Sequence, residues 1–357
     1  MILKLTILPG DGIGPEVTDQ AVSVLQAAAS RFGHQLQPDH QLIGGAAISA
    51  ANDPAPPATI RACHDSAAVF MGAVGDPKFD KNPSHLRPEA GLLRLRKELG
   101  VFANLRPAVC FPALESASPL RAELVRGTDM LIVRELLGGL YFGQPRSITG
   151  EAGHKQALNT MTYGESDIER IARVAFDLAM KRRKKILSVD KANVLECSRL
   201  WREVVTSVAQ EFPEVKVTHQ YVDSAAMLLV QRPTEFDVIL TENMFGDILS
   251  DQAGGVVGSL GLLASASIGG KVGLYEPVHG SAPDIAGKGI ANPLGAILST
   301  AMLLRHSFQL EREAACVEAA VSAVLNAGHR TADLAATGQE RASTAEMGQL
   351  VVDAVRR

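Results

Sequence analysis

Short apolar runs of strand length alternate with longer segments of helical periodicity along this chain of 357 residues. The run at residues 3–8 leads into a glycine turn, and a helical pattern then covers residues 16–32. The later apolar runs and a second helical pattern lie at residues 130–133, 186–189, 238–240 and 166–183. Strands that alternate with helices pack into a sheet covered by helices. The pattern therefore predicts the α/β fold class.

The overall charge and the cysteine content exclude several classes of protein. The net charge is −4 and aromatic residues make up only 4% of the chain, so a nucleic-acid partner is not expected. The four cysteines form no CxxC pair, which argues against a zinc site and favours a reducing compartment. No signal-peptide pattern and no apolar stretch of membrane-spanning length is found. We expect a cytoplasmic protein without a membrane partner.

A glycine-rich turn, residues 10–15 (GDGIGP), follows the first strand run. The dinucleotide-binding fingerprint G-x-G-x-x-G needs glycine where this chain has Pro15. A turn that caps a buried strand explains the glycines as well as a cofactor loop does. The turn is therefore no basis for predicting a Rossmann domain.

Three arginines lie in or beside apolar segments. Arg106 and Arg134 adjoin strand-like runs, and Arg96 follows a leucine-rich segment. A buried cation without a partner is costly, and converging guanidinium groups can each hold a carboxylate through two hydrogen bonds. For each arginine taken alone, an ordinary surface ion pair is the commoner arrangement. Spacing does not show whether the three converge.

Two aspartates, Asp247 and Asp251, stand four residues apart, which places both carboxylates on one face if the segment is helical. Oxygen ligands at this spacing suit Mg²⁺ or Mn²⁺, although a helix cap followed by a solvated aspartate has the same spacing. Lys191 ends a strand run, where α/β proteins place their sites, and is a candidate general base. Tyr141 has a phenol that can donate a proton, and Asp223 is a third carboxylate. Each of these last three is, by itself, more typical of a surface or packing residue.

Seven short motifs follow one another along the chain. They lie at residues 91–96 (GLLRLR), 104–107 (NLRP), 133–136 (VREL), 141–143 (YFG), 189–193 (VDKAN), 245–251 (FGDILSD) and 276–284 (EPVHGSAPD). Together they resemble the isocitrate and isopropylmalate dehydrogenase family. The resemblance begins at residues 8–16 and continues almost to the C-terminus. A single motif of this kind is weak, but seven in the same order are specific to the family.

The resemblance implies the two-domain α/β/α fold of this family, which is distinct from a Rossmann domain. Residues 1–101 together with residues 258–357 are expected to form a discontinuous NAD-binding domain. Residues 102–257 are expected to form the second domain and the interface of a homodimer. The active site is expected in the cleft between the two domains. The sequence has no linker-like segment, which fits a discontinuous arrangement.

The family's reaction is the oxidative decarboxylation of a substituted malate, with NAD as the oxidant and Mg²⁺ or Mn²⁺ as the metal. By the resemblance, three arginines bind the substrate carboxylates: Arg96, Arg106 and Arg134. The metal is held by Asp247 and Asp251 together with Asp223 of the neighbouring subunit, which also faces the substrate. Lys191 of the neighbouring subunit is implied to remove the C2 hydroxyl proton. Tyr141 is implied to protonate the product carbon.

The cofactor of this family does not lie on a Rossmann fingerprint. The residues implied to bind NAD are Glu276, His279, Gly280, Ser281, Ala282, Asp284, Ile285 and Asn292. His279 and Asn292 would face the adenine, and Asp284 the adenosine ribose. A carboxylate accepts hydrogen bonds from ribose hydroxyl groups but repels a 2′-phosphate, so the resemblance implies NAD rather than NADP.

The group on C3 of the malate distinguishes the members of the family. The pocket implied for this group consists of Glu89, Leu92, Leu93 and Val194, and its apolar side chains suit an isopropyl group. A third carboxylate would lack a partner there. The implied reaction converts (2R,3S)-3-isopropylmalate to 4-methyl-2-oxopentanoate and CO₂, a step of leucine biosynthesis.

Three alternatives stay open at this point. An alkyl pocket discriminates by only ~1–3 kcal/mol per methylene, so D-malate or another alkylmalate can be the substrate. Arg94 should point away from Arg96 on a helix, but if it turned inward it would serve the extra carboxylate of homoisocitrate. A non-catalytic regulatory subunit of the same fold would be expected to lose some of four residues that this chain retains: Tyr141, Lys191, Asp247 and Asp251.

Overall fold

A computed structural model describes all 357 residues of the chain. Its strands are β1 (Ile2–Gly10), β2 (Gln35–His40), β3 (Ala68–Ala73), β4 (Ala103–Val109), β5 (Asp129–Glu135), β6 (Ser147–Thr149), β7 (Gln156–Leu158), β8 (Lys185–Asp190), β9 (Lys216–Tyr221), β10 (Val238–Thr241), β11 (Ala264–Ile268) and β12 (Gly273–Pro277). Its α-helices are α1 (Gly14–Arg31), α2 (Gly44–Ala51), α3 (Pro57–His64), α4 (Pro88–Leu99), α5 (Ala122–Val125), α6 (Glu165–Met180), α7 (Glu196–Ala209), α8 (Val222–Gln231), α9 (Asn243–Val257), α10 (Leu294–His306), α11 (Glu311–Asn326) and α12 (Thr344–Arg356). Short 3₁₀ helices lie at Pro77–Phe79, Ser84–Leu86, Pro112–Ala117, Gly139–Tyr141, Pro233–Glu235 and Leu260–Leu262. The predicted α/β class is confirmed.

The elements predicted from periodicity are present, with one difference in length. The four apolar runs lie in β1, β5, β8 and β10, and the first helical pattern corresponds to α1. The second pattern, predicted to reach residue 183, ends at Met180 in α6. The chain turns there, and Lys184 adopts a φ of 58°, which no α-helix contains.

Ten of the strands form one sheet in the order β2-β1-β3-β12-β11-β4-β5-β10-β8-β9. Neighbours are parallel from β2 to β12 and from β5 to β9, whereas the three pairs in the middle, β12–β11, β11–β4 and β4–β5, are antiparallel. The first five strands in this order come from residues 2–73 and 264–277, and the other five from residues 103–241. The largest hydrophobic core contains side chains from both groups. The division into two domains at residues 101 and 258 stays a prediction.

Helices cover both faces of this sheet. Successive side chains of a strand point to opposite faces, so one strand contributes to two different hydrophobic cores. In β5, Leu131 and Val133 belong to the largest core, to which α6 also contributes, whereas Met130 and Ile132 pack in a second core with α8 and α9. Strand β3 is divided in the same way between the largest core and a third core. Burial on both faces explains why these strands have unbroken apolar sequences.

A separate hairpin of β6 and β7 lies outside the large sheet. Its two strands pair antiparallel, each is three residues long, and every residue in them is exposed. Ile148 is 74% exposed and Leu158 is 50% exposed. No sequence pattern predicts this hairpin, because strands of three residues are too short to show an alternation. Among the helices, none combines the length and the apolar character needed to cross a membrane.

Candidate active site

A cavity of about 290 Å³ lies between α4, the middle of the sheet and α9. The three arginines predicted to bind carboxylates all line it. Arg96 lies on α4, Arg106 on β4 and Arg134 on β5. The antiparallel pairing of β4 with β5 sets Arg106 opposite Ile132 and Asn104 opposite Arg134, so the two strand arginines reach the cavity from adjacent strands. The convergence that spacing left open is therefore present.

Arg106 and Arg134 both donate to one carboxylate, that of Asp247. Their Nη1 atoms lie 3.3 Å and 2.5 Å from Asp247 Oδ1. The side chain of Arg134 is almost fully buried. This burial and the neighbouring Arg106 guanidinium lower the pKa of Arg134 to about 9, although Asp247 acts in the opposite direction. The two buried guanidinium groups share the Asp247 carboxylate, and only Arg106 has a second acidic partner, the more exposed Asp251. Guanidinium groups that converge in this way suit an anionic ligand.

Arg96 is paired differently, with Glu276. Its Nη2 atom donates to Glu276 Oε1 at 2.6 Å, and both side chains are buried. The Nε–H group of Arg96 is buried and has no hydrogen-bond partner within the chain. A buried donor without a partner is costly, so this group is available to a ligand carboxylate. Glu276, predicted to contact the cofactor, is thus engaged with Arg96, which is predicted to bind the substrate.

Three polar residues that the sequence analysis did not select hold these arginines in place. Asn104 Oδ1 accepts from Arg106 Nε at 2.6 Å, and Ser250 Oγ accepts from Arg106 Nη1 at 2.6 Å. Asn243 Oδ1 accepts from Arg134 Nε and Nη2 at 3.2 Å and 2.8 Å. All three lie within a matched motif or two residues from one. Nearness to a matched motif is the only feature of the sequence that could have identified these three residues.

Helix α9 contains both Asp247 and Asp251, so the two carboxylates lie on one face, a turn apart, as their spacing predicted. The helix begins after Glu242, whose carboxylate accepts hydrogen bonds from the backbone N–H groups of Met244 and Phe245. This cap satisfies two of the donors that the first turn of a helix leaves unpaired. The cap is therefore Glu242, and the aspartates are free for another role.

The two aspartates differ in their electrostatic surroundings. Burial disfavours the ionised form of Asp247, but Arg134 and Arg106 hold its pKa below the ordinary value. Asp251 is more exposed, and its Oδ1 lies 3.7 Å from Arg106 Nη1. Burial raises the pKa of Asp251, against the attraction of Arg106.

A divalent cation fits these carboxylates as part of its ligand set. Two aspartates one helical turn apart supply the oxygen ligands that hard cations prefer. No group of three or more His, Cys, Asp or Glu side chains in the chain is close enough together to hold a metal ion. Asp247 and Asp251 therefore fit two ligands of such a site without completing it.

Tyr141 lies beside Asp247, at the end of the 3₁₀ helix Gly139–Tyr141. Its phenol donates to Asp247 Oδ2 at 2.8 Å, and the Arg134 guanidinium lies 5.6 Å from the centre of its ring. Burial and the hydrogen bond to Asp247 raise the pKa of Tyr141 above its ordinary value. The phenol therefore keeps its proton at neutral pH, and it lines the same cavity as the arginines.

Lys191 and Asp223 lie outside this cavity. Lys191 Nζ donates to Asp223 Oδ1 at 2.6 Å, and this contact lowers the pKa of Asp223. Neither residue lines the cavity, and neither does Val194, which is 61% exposed. A single chain therefore does not bring these three residues to its own arginines. Their action in the site of a neighbouring subunit stays a prediction.

Helix α4 contributes two leucines to the wall of the cavity, between two charged residues. The residues of this wall that precede Arg96 are Glu89, Leu92 and Leu93. Arg94 does not line this cavity but lines an adjoining cleft, to which Leu93 and Tyr141 also contribute. Its Nη1 atom pairs there with Asp53 Oδ2 at 3.2 Å. The arginine considered for an extra substrate carboxylate is thus engaged with Asp53.

The loop predicted to bind the cofactor runs beside the glycine turn that follows β1. The backbone N–H of Ile13 donates to the Ser281 carbonyl at 2.8 Å. Gly12 has a φ of 58°, and a Cβ added there would collide with the same carbonyl. Such a close approach at positive φ needs glycine. The glycine turn therefore supports this loop through backbone contacts.

Of the loop residues predicted to bind the cofactor, His279 and Gly280 line the cavity, as does Glu276 at the end of β12. His279 Nδ1 lies 2.9 Å from the Gly280 carbonyl, which can only accept a hydrogen bond. Nδ1 of the neutral ring therefore carries the proton, and Nε2 is left as a buried acceptor with no partner. Burial lowers the pKa of His279, which keeps the ring neutral. Asn292 donates to Asp333 Oδ2 at 3.0 Å, a residue the sequence analysis missed. Asp284 is exposed, and the remaining loop residues Ala282 and Ile285 are half-buried.

The whole site falls within a region of similarity to known proteins. A family described as isocitrate/isopropylmalate dehydrogenase matches residues 4–351. A Priestia megaterium protein named 3-isopropylmalate dehydrogenase is 58% identical over 336 residues, which cover 94% of this chain and 91% of that protein. A Geobacillus kaustophilus protein of the same name is 57% identical over 353 residues, covering 99% and 95%. The crystal structure of isocitrate dehydrogenase from Methylococcus capsulatus has a TM-score of 0.89 at 38% identity and covers 99% of both chains.

Proposed function

The chain belongs to the isocitrate/isopropylmalate dehydrogenase family, and on this basis we propose that it oxidises and decarboxylates (2R,3S)-3-isopropylmalate. The products are 4-methyl-2-oxopentanoate, CO₂ and reduced NAD, and the reaction is a step of leucine biosynthesis. One observation carries the proposal: three arginines and a tyrosine converge in a cavity that Leu92 and Leu93 also line. The relatives named 3-isopropylmalate dehydrogenase, at 57% and 58% identity, support the choice of substrate.

Two features of the cavity select the substrate: its arginines favour the negative charges of the malate, and its leucines favour an apolar group on C3. Its arginines bind the two carboxylates of the malate through paired hydrogen bonds. Leu92 and Leu93 contact the isopropyl group, and each CH₂-sized group buried there contributes about 0.8 kcal/mol. A third carboxylate in place of the isopropyl group would meet Glu89, a like charge, and would find Arg94 paired with Asp53. Homoisocitrate is therefore disfavoured.

Two side chains of the dimer move protons in the proposed reaction. Lys191 of the neighbouring subunit takes the proton of the C2 hydroxyl group, as a general base. Oxidation at C2 creates a ketone β to the C3 carboxylate, which allows that carboxylate to leave as CO₂. Tyr141 then donates its phenolic proton to C3, a role that its location and its retained proton support.

Asp247 and Asp251, with Asp223 of the neighbouring subunit, would hold Mg²⁺ or Mn²⁺. When bound, the ion supplies a Lewis acid for the C2 oxygen and one substrate carboxylate. Asp247 shares its carboxylate with Arg106 and Arg134 in the free chain. These arginine contacts are the ones that a substrate carboxylate would take over.

NAD would lie along the loop from Glu276 to Asn292 and supplies the hydride acceptor. The buried acceptor His279 Nε2 suits the amino group of an adenine, and Asp333 orients the amide of Asn292. The exposed carboxylate of Asp284 suits ribose hydroxyl groups and would repel a 2′-phosphate. The rest of the loop that would contact the cofactor comprises Gly280, Ser281, Ala282 and Ile285.

A homodimer is part of the proposal. Helices α8 and α9 pack together and leave three large apolar side chains exposed, by 52%, 37% and 57%: Met227, Val230 and Ile248. An exposed apolar patch on helices that also carry site carboxylates is typical of an interface between subunits. A two-fold contact through this patch would take Lys191 and Asp223 of each chain to the arginines of the other.

The domain organisation and the compartment follow from the same proposal. Residues 1–101 with 258–357 would form the NAD-binding domain, and residues 102–257 the domain of the dimer interface. The grouping of strands in the sheet supports this division. All four cysteines are unpaired, which is compatible with the reducing cytoplasm.

The proposal is tested by the reduction of NAD with four substrates: 3-isopropylmalate, D-malate, isocitrate and homoisocitrate. Each is assayed with Mg²⁺ and again after EDTA. We expect a clear preference for 3-isopropylmalate that EDTA abolishes. A preference for D-malate or a tricarboxylate would keep the family and overturn the apolar pocket. No turnover of any of the four would favour a non-catalytic regulatory subunit.

A further inference from the structure

Asn243, the first residue of α9, is completely buried and uses both ends of its side-chain amide. Its Oδ1 atom accepts from Arg134 Nε and Nη2 at 3.2 Å and 2.8 Å. Its Nδ2 atom donates to the carbonyl oxygens of Leu136 and Gly138 at 3.0 Å and 3.1 Å. Its backbone N–H donates to the Tyr163 hydroxyl at 3.0 Å. The residue therefore has no freedom to rotate its amide.

The partners of Asn243 belong to three different parts of the site. Arg134 is a carboxylate-binding arginine, and residues 136–138 lead directly into the 3₁₀ helix that ends at Tyr141. Helix α9, which Asn243 begins, carries Asp247, the acceptor of the Tyr141 phenol. Only an amide offers an acceptor and two donors in this size. This position therefore requires the hydrogen-bonding groups of asparagine and not only its volume.

We propose that Asn243 is a positioning residue that fixes the Tyr141 phenol relative to the carboxylate held by Arg134. This inference rests on the proposed function, in which Tyr141 protonates C3. One amide binds both Arg134 and the start of the Tyr141 loop, so it connects the backbone of the proton donor to the substrate anchor. The Asp247 carboxylate also joins the Tyr141 phenol to Arg134, but Asn243 is the link that does not use a group taken over by substrate or metal. The face of the product from which the proton arrives is fixed by the same contacts.

The step concerned has a stereochemical outcome. Departure of CO₂ breaks the bond between C3 and its carboxyl carbon and leaves the electron pair in the C2–C3 enolate. The enolate takes a proton from Tyr141 Oη at C3, the C2 ketone re-forms, and the tyrosinate regains a proton from solvent. In D₂O the transferred proton is a deuteron, so C3 of 4-methyl-2-oxopentanoate becomes a stereocentre. A positioned donor gives one configuration, whereas solvent reaching the enolate from both faces gives two.

The decisive variant is Asn243→Asp, which has the same size and shape. A carboxylate keeps the acceptors for Arg134, but it repels the Leu136 and Gly138 carbonyls and so releases the Tyr141 loop. We expect KM for 3-isopropylmalate to change by less than about threefold and kcat to fall by about 100-fold, the effect of a misplacement near 1 Å. We also expect deuterium at C3 in both configurations. The product is reduced as it forms by an added 2-hydroxy acid dehydrogenase, which prevents exchange at C3, and is analysed by NMR.

Two reference variants separate the possible failures. Asn104→Asp is the matched control, because Asn104 is also buried and anchors Arg106, but it donates to Ser267 and not to the Tyr141 loop; its product should keep a single configuration. Tyr141→Phe should give both configurations. If Tyr141→Phe keeps one configuration, the proposed role of Tyr141 fails. If Tyr141→Phe gives both and Asn243→Asp keeps one, the inference about Asn243 is overturned.

A second variant covers the case in which Asn243→Asp does not fold. Asn243→Ser introduces no buried charge, and its one hydroxyl donor on a shorter side chain cannot replace the two amide hydrogen bonds to residues 136 and 138. It should lose the single configuration at C3 in the same way. A folded Asn243→Ser enzyme with an unchanged C3 configuration would equally overturn the inference, because a residue that only stabilised the fold would alter the amount of folded enzyme and not its stereochemistry.

Discussion

We predict that Gly246→Ala, which adds one methyl group to α9, lowers activity strongly and changes the free energy of unfolding little. A Cβ built at Gly246 lies 2.6 Å from Cγ and 2.8 Å from Cβ of Arg134. Carbon atoms pack at about 3.5–4.0 Å, so Gly246→Ala must move the Arg134 side chain or the helix by about 1 Å. Helix propensity alone predicts the opposite effect on stability, a gain of about 1 kcal/mol.

The two effects on stability nearly cancel, and the effect on activity does not. Overpacking costs about 1–3 kcal/mol, so after the gain in propensity we expect a net loss of about 0–2 kcal/mol in the free energy of unfolding. A shift of about 1 Å at Arg134, a guanidinium proposed to bind the substrate, is expected to lower kcat/KM by about 100-fold. The measurements are urea unfolding and the steady-state rate of NAD reduction with 3-isopropylmalate.

Gly348→Ala is the matched control for Gly246→Ala. Gly348 lies within α12, and an added Cβ there would meet the side chain of Gln20, including its Cβ at 2.8 Å. The crowding is similar, but no residue of the site is touched. We expect a comparable change in stability with kcat/KM within about twofold of the unmodified enzyme, as for a perturbation distant from the site. If Gly246→Ala is folded and also keeps kcat/KM within about threefold, Arg134 does not depend on this glycine, and the argument from close approach is refuted.

Three further predictions address the cofactor, the dimer and the response to acid. Asp284→Lys should lower kcat/KM with NAD and raise it with NADP, because the repulsion of the 2′-phosphate becomes attraction; an unchanged ratio would show that Asp284 does not face the ribose. Lys191→Ala and Asp247→Asn should each be inactive alone, but their co-expression should restore part of the activity, because the mixed dimer has one site with both residues intact; no recovery would refute shared sites. Burial, reinforced by Arg305, lowers the pKa of His306 from 6.5 to about 4 in the folded chain. The folded state therefore loses stability as pH falls through the window between these values, by about 2 kcal/mol between pH 7 and pH 5. His306→Gln should abolish that part of the pH dependence in urea unfolding, and an unchanged profile would assign it to other groups.

The sequence predicts elements more readily than contacts, and the arginines show why. Periodicity identifies β5, and the four-residue spacing of Asp247 and Asp251 predicts a common face on condition that the segment is helical, as it is in α9. Both properties are local to one element. The meeting of Arg106 with Arg134 depends on the pairing of β4 with β5, and that of Arg96 depends on where α4 packs. The spacing of residues along the chain predicts neither of these two contacts. The family resemblance, rather than the residues themselves, supplied that part of the prediction.

The supporting residues of the site were missed for a related reason. Asn243 and Asn104 act through both ends of an amide whose partners lie on other elements. An asparagine at a helix start is typical of a cap, whereas here the cap is Glu242. Lys191 presents the opposite case, because the family resemblance implies a base and the single chain gives this lysine no place in the cavity.

The division of β5 between two cores restricts how the length of this chain can change over evolution. Ile132 and Arg134 point to one face of the strand, and Val133 points to the other, into the largest core. Insertion or deletion of one residue within β5 would exchange the two faces. Arg134 would then be buried among apolar side chains without a partner, at a cost of several kcal/mol. Variation in length among relatives should therefore be absent from β5 and should concentrate at exposed places such as the β6–β7 hairpin.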